Sequence, residues 1–194
     1  METEERFIAN EVSWEQYEAL LVKLSDNSSY RVTYLDGVLE ILSPNPRREG
    51  IKKHIGTLLE VYFEETDTKY FPLGSTTFRR QEQRGGTEAD ESYCIGSKKD
   101  FPDLAVEVVL TSGETDKLAV YKRLGVTEVW FWEKSQFSVY RLRGDKYERI
   151  QASELLPNLD LGLLAEYVRH PNPLLGVKEF RKQIGGSDTQ STSS

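Results

Sequence analysis

The stretch Phe101-Pro102-Asp103-Leu104-Ala105-Val106-Glu107-Val108-Val109-Leu110 runs through Thr111-Ser112-Gly113-Glu114-Thr115 into Asp116-Lys117-Leu118-Ala119-Val120-Tyr121-Lys122-Arg123-Leu124-Gly125. Val126-Thr127-Glu128-Val129-Trp130-Phe131-Trp132 follows. It reads as strand, helix, strand. From Leu104 to Leu110 the residues are apolar and mostly β-branched, the pattern of a strand covered on both faces, and Glu107 is the exception at its centre. Side chains alternate along a strand, so Leu104, Val106, Val108 and Leu110 share an apolar face. Asp103, Ala105, Glu107 and Val109 share the other, which therefore carries two carboxylates.

The next helix is stopped by Gly125, and Ser112-Gly113-Glu114-Thr115 supplies capping residues for its start. At about 100° per residue, Lys117 falls at the centre of the apolar arc formed by Leu118, Val120, Tyr121 and Leu124. Lys122 and Arg123 fall on the solvent side. A strand–helix–strand connection packs the helix back on its sheet, so Glu107 and Lys117 are expected to meet. Either the two form a paired, hydrogen-bonded core acid and a snorkelling lysine, or they hold a metal ion and polarise a scissile bond.

The chain has 194 residues, enough for one domain with a sizeable core, and carries a net charge of −7. That charge does not advertise nucleic-acid binding, so such a function would need a local basic groove. A single cysteine, Cys94, excludes an intramolecular disulfide and a thiolate metal cage. No window approaches the roughly 20 apolar residues of a membrane span, and the N-terminus lacks a basic region followed by an apolar run, so a cytoplasmic protein is the default.

In chain order, Met1 to Asn10 reads as loose. Ser13-Trp14-Glu15-Gln16 has the look of a capping box opening a helix to about Leu24. Asp36-Gly37 marks a hairpin of Tyr30–Leu35 and Val38–Leu42. After Pro44-Asn45-Pro46, a helix from about Arg48 to Glu65 places Ile51, Ile55, Leu58, Leu59 and Tyr62 on one face. His54, at the edge of that arc, reads as a satisfied surface residue. Tyr70–Leu73, Thr76–Arg80 and Ala89–Ile95 read as strands, Gln81–Thr87 with Gly85-Gly86 as a loop, and Ser138–Leu142 with Tyr147–Ile150 as a final hairpin. Leu161–Arg169 is a short helix, and the Gly/Ser/Thr-rich end from about 185 reads as disordered.

Antiparallel strands first and a parallel crossover later give an α+β fold, a mixed sheet flanked by helices. Asp90 and Glu107 are carboxylates on successive strands, with Lys117 on the next helix. An oxygen donor set of this kind suits Mg²⁺ or Mn²⁺. Such an ion orients a water and offsets charge on a phosphodiester, with a lysine assisting.

Several blocks extend this pattern: Gly74-Ser75-Thr76-Thr77, Glu88-Ala89-Asp90-Glu91-Ser92-Tyr93-Cys94-Ile95, Pro102 to Glu107, Lys117 to Tyr121 and Leu124 to Trp130. In this order the chain resembles the bacterial Uma-type restriction endonuclease family over roughly Tyr30 to Tyr167. The resemblance implies the restriction-endonuclease-like core of PD-(D/E)XK nucleases, with the N-terminal helix and β-hairpin added. It implies a metal-dependent enzyme acting on DNA, with Asp90 and Glu107 as metal ligands. Lys117 is then the catalytic lysine, moved from the strand position of Val109 onto the helix. Glu49 corresponds to a helix carboxylate that positions metal or water. Ala89 stands where the family usually has Pro, Val109 where it often has an acid, and Arg48-Glu49 where His-Glu is common.

The implied organisation is an extension at 1–29, the nuclease-like domain at 30–170 and a tail at 171–194. A homodimer is also expected, because Val129-Trp130-Phe131-Trp132 puts heavy aromatic content late in the sheet and two copies suit two DNA strands; the alternative is that both tryptophans are simply core. A non-cleaving scaffold and a hydrolase of a small phosphorylated substrate are the alternative readings of the same residues.

Overall fold

A computed structural model describes residues 4–24, 30–110 and 116–186. The cap expected from Ser112-Gly113-Glu114-Thr115 and the tail expected beyond 186 lie outside the described residues. The chain runs β1 (Arg6–Ala9), α1 (Trp14–Leu24), β2 (Arg31–Leu35), β3 (Val38–Leu42), α2 (Pro46–Glu65), β4 (Tyr70–Pro72), β5 (Thr77–Arg80), β6 (Gly85–Glu88), β7 (Glu91–Ile95) and β8 (Leu104–Val108). Then follow α3 (Lys117–Leu124), β9 (Glu128–Glu133), β10 (Gln136–Arg143), β11 (Lys146–Ile150), α4 (Leu161–Val168) and α5 (Pro173–Gly186).

The strands form two sheets, β1-β3-β2-β6-β5 and β11-β10-β9-β8-β7-β4. Among the described residues only β8 and β9 pair in parallel, with α3 between them in the chain, which is the crossover read from Phe101 to Trp132. The chain visits the second sheet at its edge strand β4, returns to the first for β5 and β6, and crosses for the last time between β6 and β7, where Ala89 and Asp90 sit.

Local signals explain the elements. The Ser13–Gln16 box closes in both directions, Gln16 N–H to Ser13 Oγ at 3.2 Å and Ser13 N–H to Gln16 Oε1 at 2.8 Å. Asp36 and Gly37 both have positive φ, 47° and 92°, as a two-residue hairpin turn of type I′ requires. Asn45 caps α2, with Pro46 in its first turn. Asp116 caps α3 through Ala119 N–H at 3.1 Å, and Gly125, at φ 76°, ends it.

Three apolar clusters order the layers. Trp14 and Tyr17 of α1 cover Val32, Tyr34 and Leu39 on one face of the first sheet. Val120, Tyr121 and Leu124 of α3 pack with Phe78, Ala105 and Val129, between the two sheets. On the far side of the second sheet, Leu104, Val106, Val108, Trp130 and Trp132 pack with α2, α4 and α5. His54 Nε2 lies 3.0 Å from the Tyr167 carbonyl oxygen and ties α2 to the end of α4.

Four expectations are corrected. Arg6–Ala9, expected loose, pairs with β3 as an edge strand. Gly85-Gly86, expected in a loop, begins β6, because Tyr17 Oη and the Arg123 side chain occupy the space a Cβ would need. The C-terminal segment is helical through Gly185 and Gly186, with Phe180 fully buried. Trp130 and Trp132, on whose aromatic block the homodimer expectation rested, are core residues, 0% and 5% exposed.

A Cβ at Gly86 would lie 2.3 Å from Tyr17 Oη, whereas one at Gly50 meets nothing within 4 Å. Gly86→Ala is therefore expected to lower the urea-unfolding free energy by ~1–3 kcal/mol through overpacking. Gly50→Ala is expected to raise it by ~0.5–1 kcal/mol through helix propensity.

Candidate active site

Arg31 and Thr33 share one face of β2, opposite Val32 and Tyr34. That polar face turns toward α3, and all four residues are buried. Glu107, fully buried at the centre of β8, faces it from the second sheet. Arg31 Nη2 donates to Glu107 Oε2 at 2.8 Å and to the Glu88 carbonyl at 2.8 Å. Arg31 Nη1 lies 3.2 Å from Asp90 Oδ1. One guanidinium thus spans both acids, which share a single internal space at the crossing between the sheets.

Lys117 arrives from the first turn of α3. Its Nζ is 3.5 Å from Glu107 Oε1 and donates to Thr33 Oγ1 at 2.9 Å and Thr87 Oγ1 at 3.0 Å. Tyr121, one turn further, donates to Glu107 Oε1 at 2.5 Å. Asp90 replaces a rung of the ladder at the end of β8: its Oδ2 accepts the Val108 N–H at 2.7 Å, and its own N–H reaches the Val106 carbonyl at 3.1 Å.

Arg48 enters from the start of α2. It reaches Asp90 Oδ2 at 3.4 Å, donates to the Val108 carbonyl and pairs with both oxygens of Glu4 at 2.7 and 2.8 Å. The buried cations Arg31, Arg48 and Lys117 are matched by the acids Asp90, Glu107 and Glu4. Burial alone pushes the Glu107 carboxyl up, but Lys117, Arg31 and the Tyr121 hydroxyl outweigh it and hold it down at about 2. Burial and the nearby Glu107 charge push Asp90 up against the pull of Arg31 and Arg48.

A groove of about 760 Å³ opens beside this cluster, lined by Arg31, Lys52, Arg79, Ser75, Glu49 and Glu88 among others. Lys52 Nζ is fixed at its wall by Glu49, at 2.8 Å, and by Ser75 Oγ, at 3.0 Å. Burial pushes Glu88 up to about 7, with Arg31 and Lys52 acting in the opposite sense.

Of the residues singled out in the sequence, Asp90, Glu107 and Lys117 are brought together. Glu49 is not: its side chain is 44% exposed at the groove and pairs with Lys52. Asp90 itself stands between β6 and β7 and not within the strand expected over Ala89–Ile95. Arg31, Tyr121, Thr33 and Thr87 were not singled out. Their signal was present in β2, where Arg31 and Thr33 alternate with Val32 and Tyr34 so that a polar face runs along a strand.

The two acids suit a hard divalent cation in donor chemistry. Asp90 Oδ1 is a buried oxygen with no hydrogen bond among the described residues, and both acids already face one cation, Arg31. They form a pair, since no group of three or more His, Cys, Asp or Glu among the described residues is placed to hold a metal.

Two sheets joined at an aspartate, with a second acid at the centre of the parallel-paired strand β8 and a lysine on the helix that follows, define a restriction-endonuclease-like α+β protein. The chain belongs to the Uma2 family: the family profile described as "Uma2: Putative restriction endonuclease" matches residues 14–169. A comparison with curated proteins finds no match. No helix among the described residues is long and apolar enough to cross a membrane.

Removing the Tyr121 hydroxyl deprives a buried carboxylate of a donor. Tyr121→Phe is expected to cost ~1.5–3 kcal/mol in urea unfolding, as for a hydrogen bond to a charged group. Tyr147→Phe, which removes a bond to the neutral Val126 carbonyl, is expected to cost ~0.5–1.5 kcal/mol.

Proposed function

We propose that this protein is a divalent-metal-dependent endonuclease that hydrolyses phosphodiester bonds of DNA. The observation that supports it most is that Asp90 and Glu107 share the Arg31 guanidinium, with Lys117 Nζ 3.5 Å from Glu107, beside a groove lined by Arg31, Lys52 and Arg79. Asp90 and Glu107 would hold Mg²⁺ or Mn²⁺, which supplies an acidified water and offsets charge on the phosphate. Lys117 is held by Thr33 and Thr87, so its ammonium is preorganised to face developing negative charge without reorganising. Lys52 and Arg79 give the acidic chain the local positive wall that phosphate binding needs. Glu49 sets the position of Lys52 within that wall.

The closed ion-pair network favours a second reading, a nuclease-fold module that binds nucleic acid without cutting it. Arg31 and Arg48 already neutralise the acid pair, and family membership fixes a fold more firmly than an activity.

A Mn²⁺-supplemented assay on plasmid and single-stranded DNA separates the two. Cleavage by the wild type is expected, with Glu107→Gln and Lys117→Met each losing about 10²–10³-fold. Lys122→Met, on the exposed side of the same helix, is expected to keep it. Equal loss in Lys117→Met and Lys122→Met would show general electrostatics in place of a positioned lysine. Salt-sensitive DNA binding without cleavage would favour the module.

A further inference from the structure

Arg31 belongs to two places at once. It spans Asp90 and Glu107 inside the protein, and it also lines the groove with Lys52 and Arg79. Its donors are only partly used. Nη2 makes both of its hydrogen bonds, whereas Nε and Nη1 are buried and make none among the described residues, although Nη1 stands 3.2 Å from Asp90 Oδ1. A guanidinium carries five N–H donors in a planar fork, and burying them unfilled is unfavourable. That fork matches a phosphate as well as it matches a carboxylate, and bidentate pairing to either is the strong arrangement.

Resting on the nuclease reading above, we propose that Arg31 is an exchangeable occupant of the metal position. It holds the acid pair while the groove is empty and turns to a phosphodiester oxygen when nucleic acid enters, releasing Asp90 and Glu107 for a divalent ion. The exchange replaces one positive charge between the acids by two, and the phosphodiester's single negative charge offsets that of the released guanidinium. Lys117, fixed by Thr33 and Thr87, and Arg48, tied to Glu4 and the Val108 carbonyl, stay where they are. Arg31 is thus a positioning residue that makes metal and nucleic acid bind with positive linkage, so that each tightens the other by the same factor.

The test is calorimetric titration of Ca²⁺, which takes carboxylate oxygens in flexible geometry, into the full chain with and without a short duplex oligonucleotide. Titration into the oligonucleotide alone is subtracted, and Glu107→Gln defines the heat that belongs to this position. For the wild type the Ca²⁺ dissociation constant is expected to fall by about tenfold or more when the oligonucleotide is present. Arg31→Gln is expected to bind Ca²⁺ without the oligonucleotide as tightly as the wild type does with it.

Equal Ca²⁺ affinity in the wild type with and without the oligonucleotide, lost in Glu107→Gln, would overturn the exchange while leaving the nuclease reading in place. No Glu107-dependent Ca²⁺ binding under any condition would remove both. Should Arg31→Gln not fold, as circular dichroism would reveal, the wild-type linkage alone decides the matter.

Discussion

The guanidinium of Arg31 between Asp90 and Glu107 is the interaction on which the rest of the structure depends. It joins β2 of one sheet to β8 of the other and to the residue where the chain crosses between them. Without a cation there, two buried carboxylates would face each other in a low-dielectric interior, and removing one partner from such an arrangement typically costs about 3–5 kcal/mol. Around this contact the other charged groups are arranged in compensating pairs. Lys117 and Tyr121 complete the partners of Glu107, and Arg48 links Asp90 to Glu4. The cluster is neutral in sum, which is why so much charge is tolerated in a space with almost no solvent access.

The same contact connects architecture to chemistry. A site built from one sheet alone would present its acids on a surface; here the first sheet, α3 and the second sheet enclose them, and the groove lined by Arg31, Lys52 and Ser75 opens beside them. Lys117 is positioned by threonines from two neighbouring strands, so its ammonium is fixed by the sheet register and not by its own rotamer preference. Preorganised charge of this kind is what phosphoryl chemistry draws on.

Local features were legible in the chain. The strand–helix–strand unit, the Asp36-Gly37 turn, the Ser13–Gln16 box and the opposed faces of β8 follow from periodicity and short-range chemistry. The Glu107–Lys117 meeting follows too, because both lie within one crossover unit. Arg31 was not legible as part of it, since it is 76 residues from Glu107 and its partner depends on how two sheets stack. The last passage from the first sheet to the second falls at Ala89 and Asp90, where no glycine or proline marks the break. Gly85-Gly86 resembled a loop because glycine is poor in strands, yet the close approach of Tyr17 and Arg123 is what requires it. Trp130 and Trp132 share one face of β9, and only the packing of α2 and α4 against that face shows it to be core.

The cation position between Asp90 and Glu107 is tested most directly by a crystal of Arg31→Gln soaked in Mn²⁺, with diffraction recorded at a wavelength where manganese scatters anomalously. An anomalous peak bonded to one oxygen from each of Asp90 and Glu107 is the predicted result. A peak at Glu49 or Glu88 in the groove, with the acid pair bare, would contradict it.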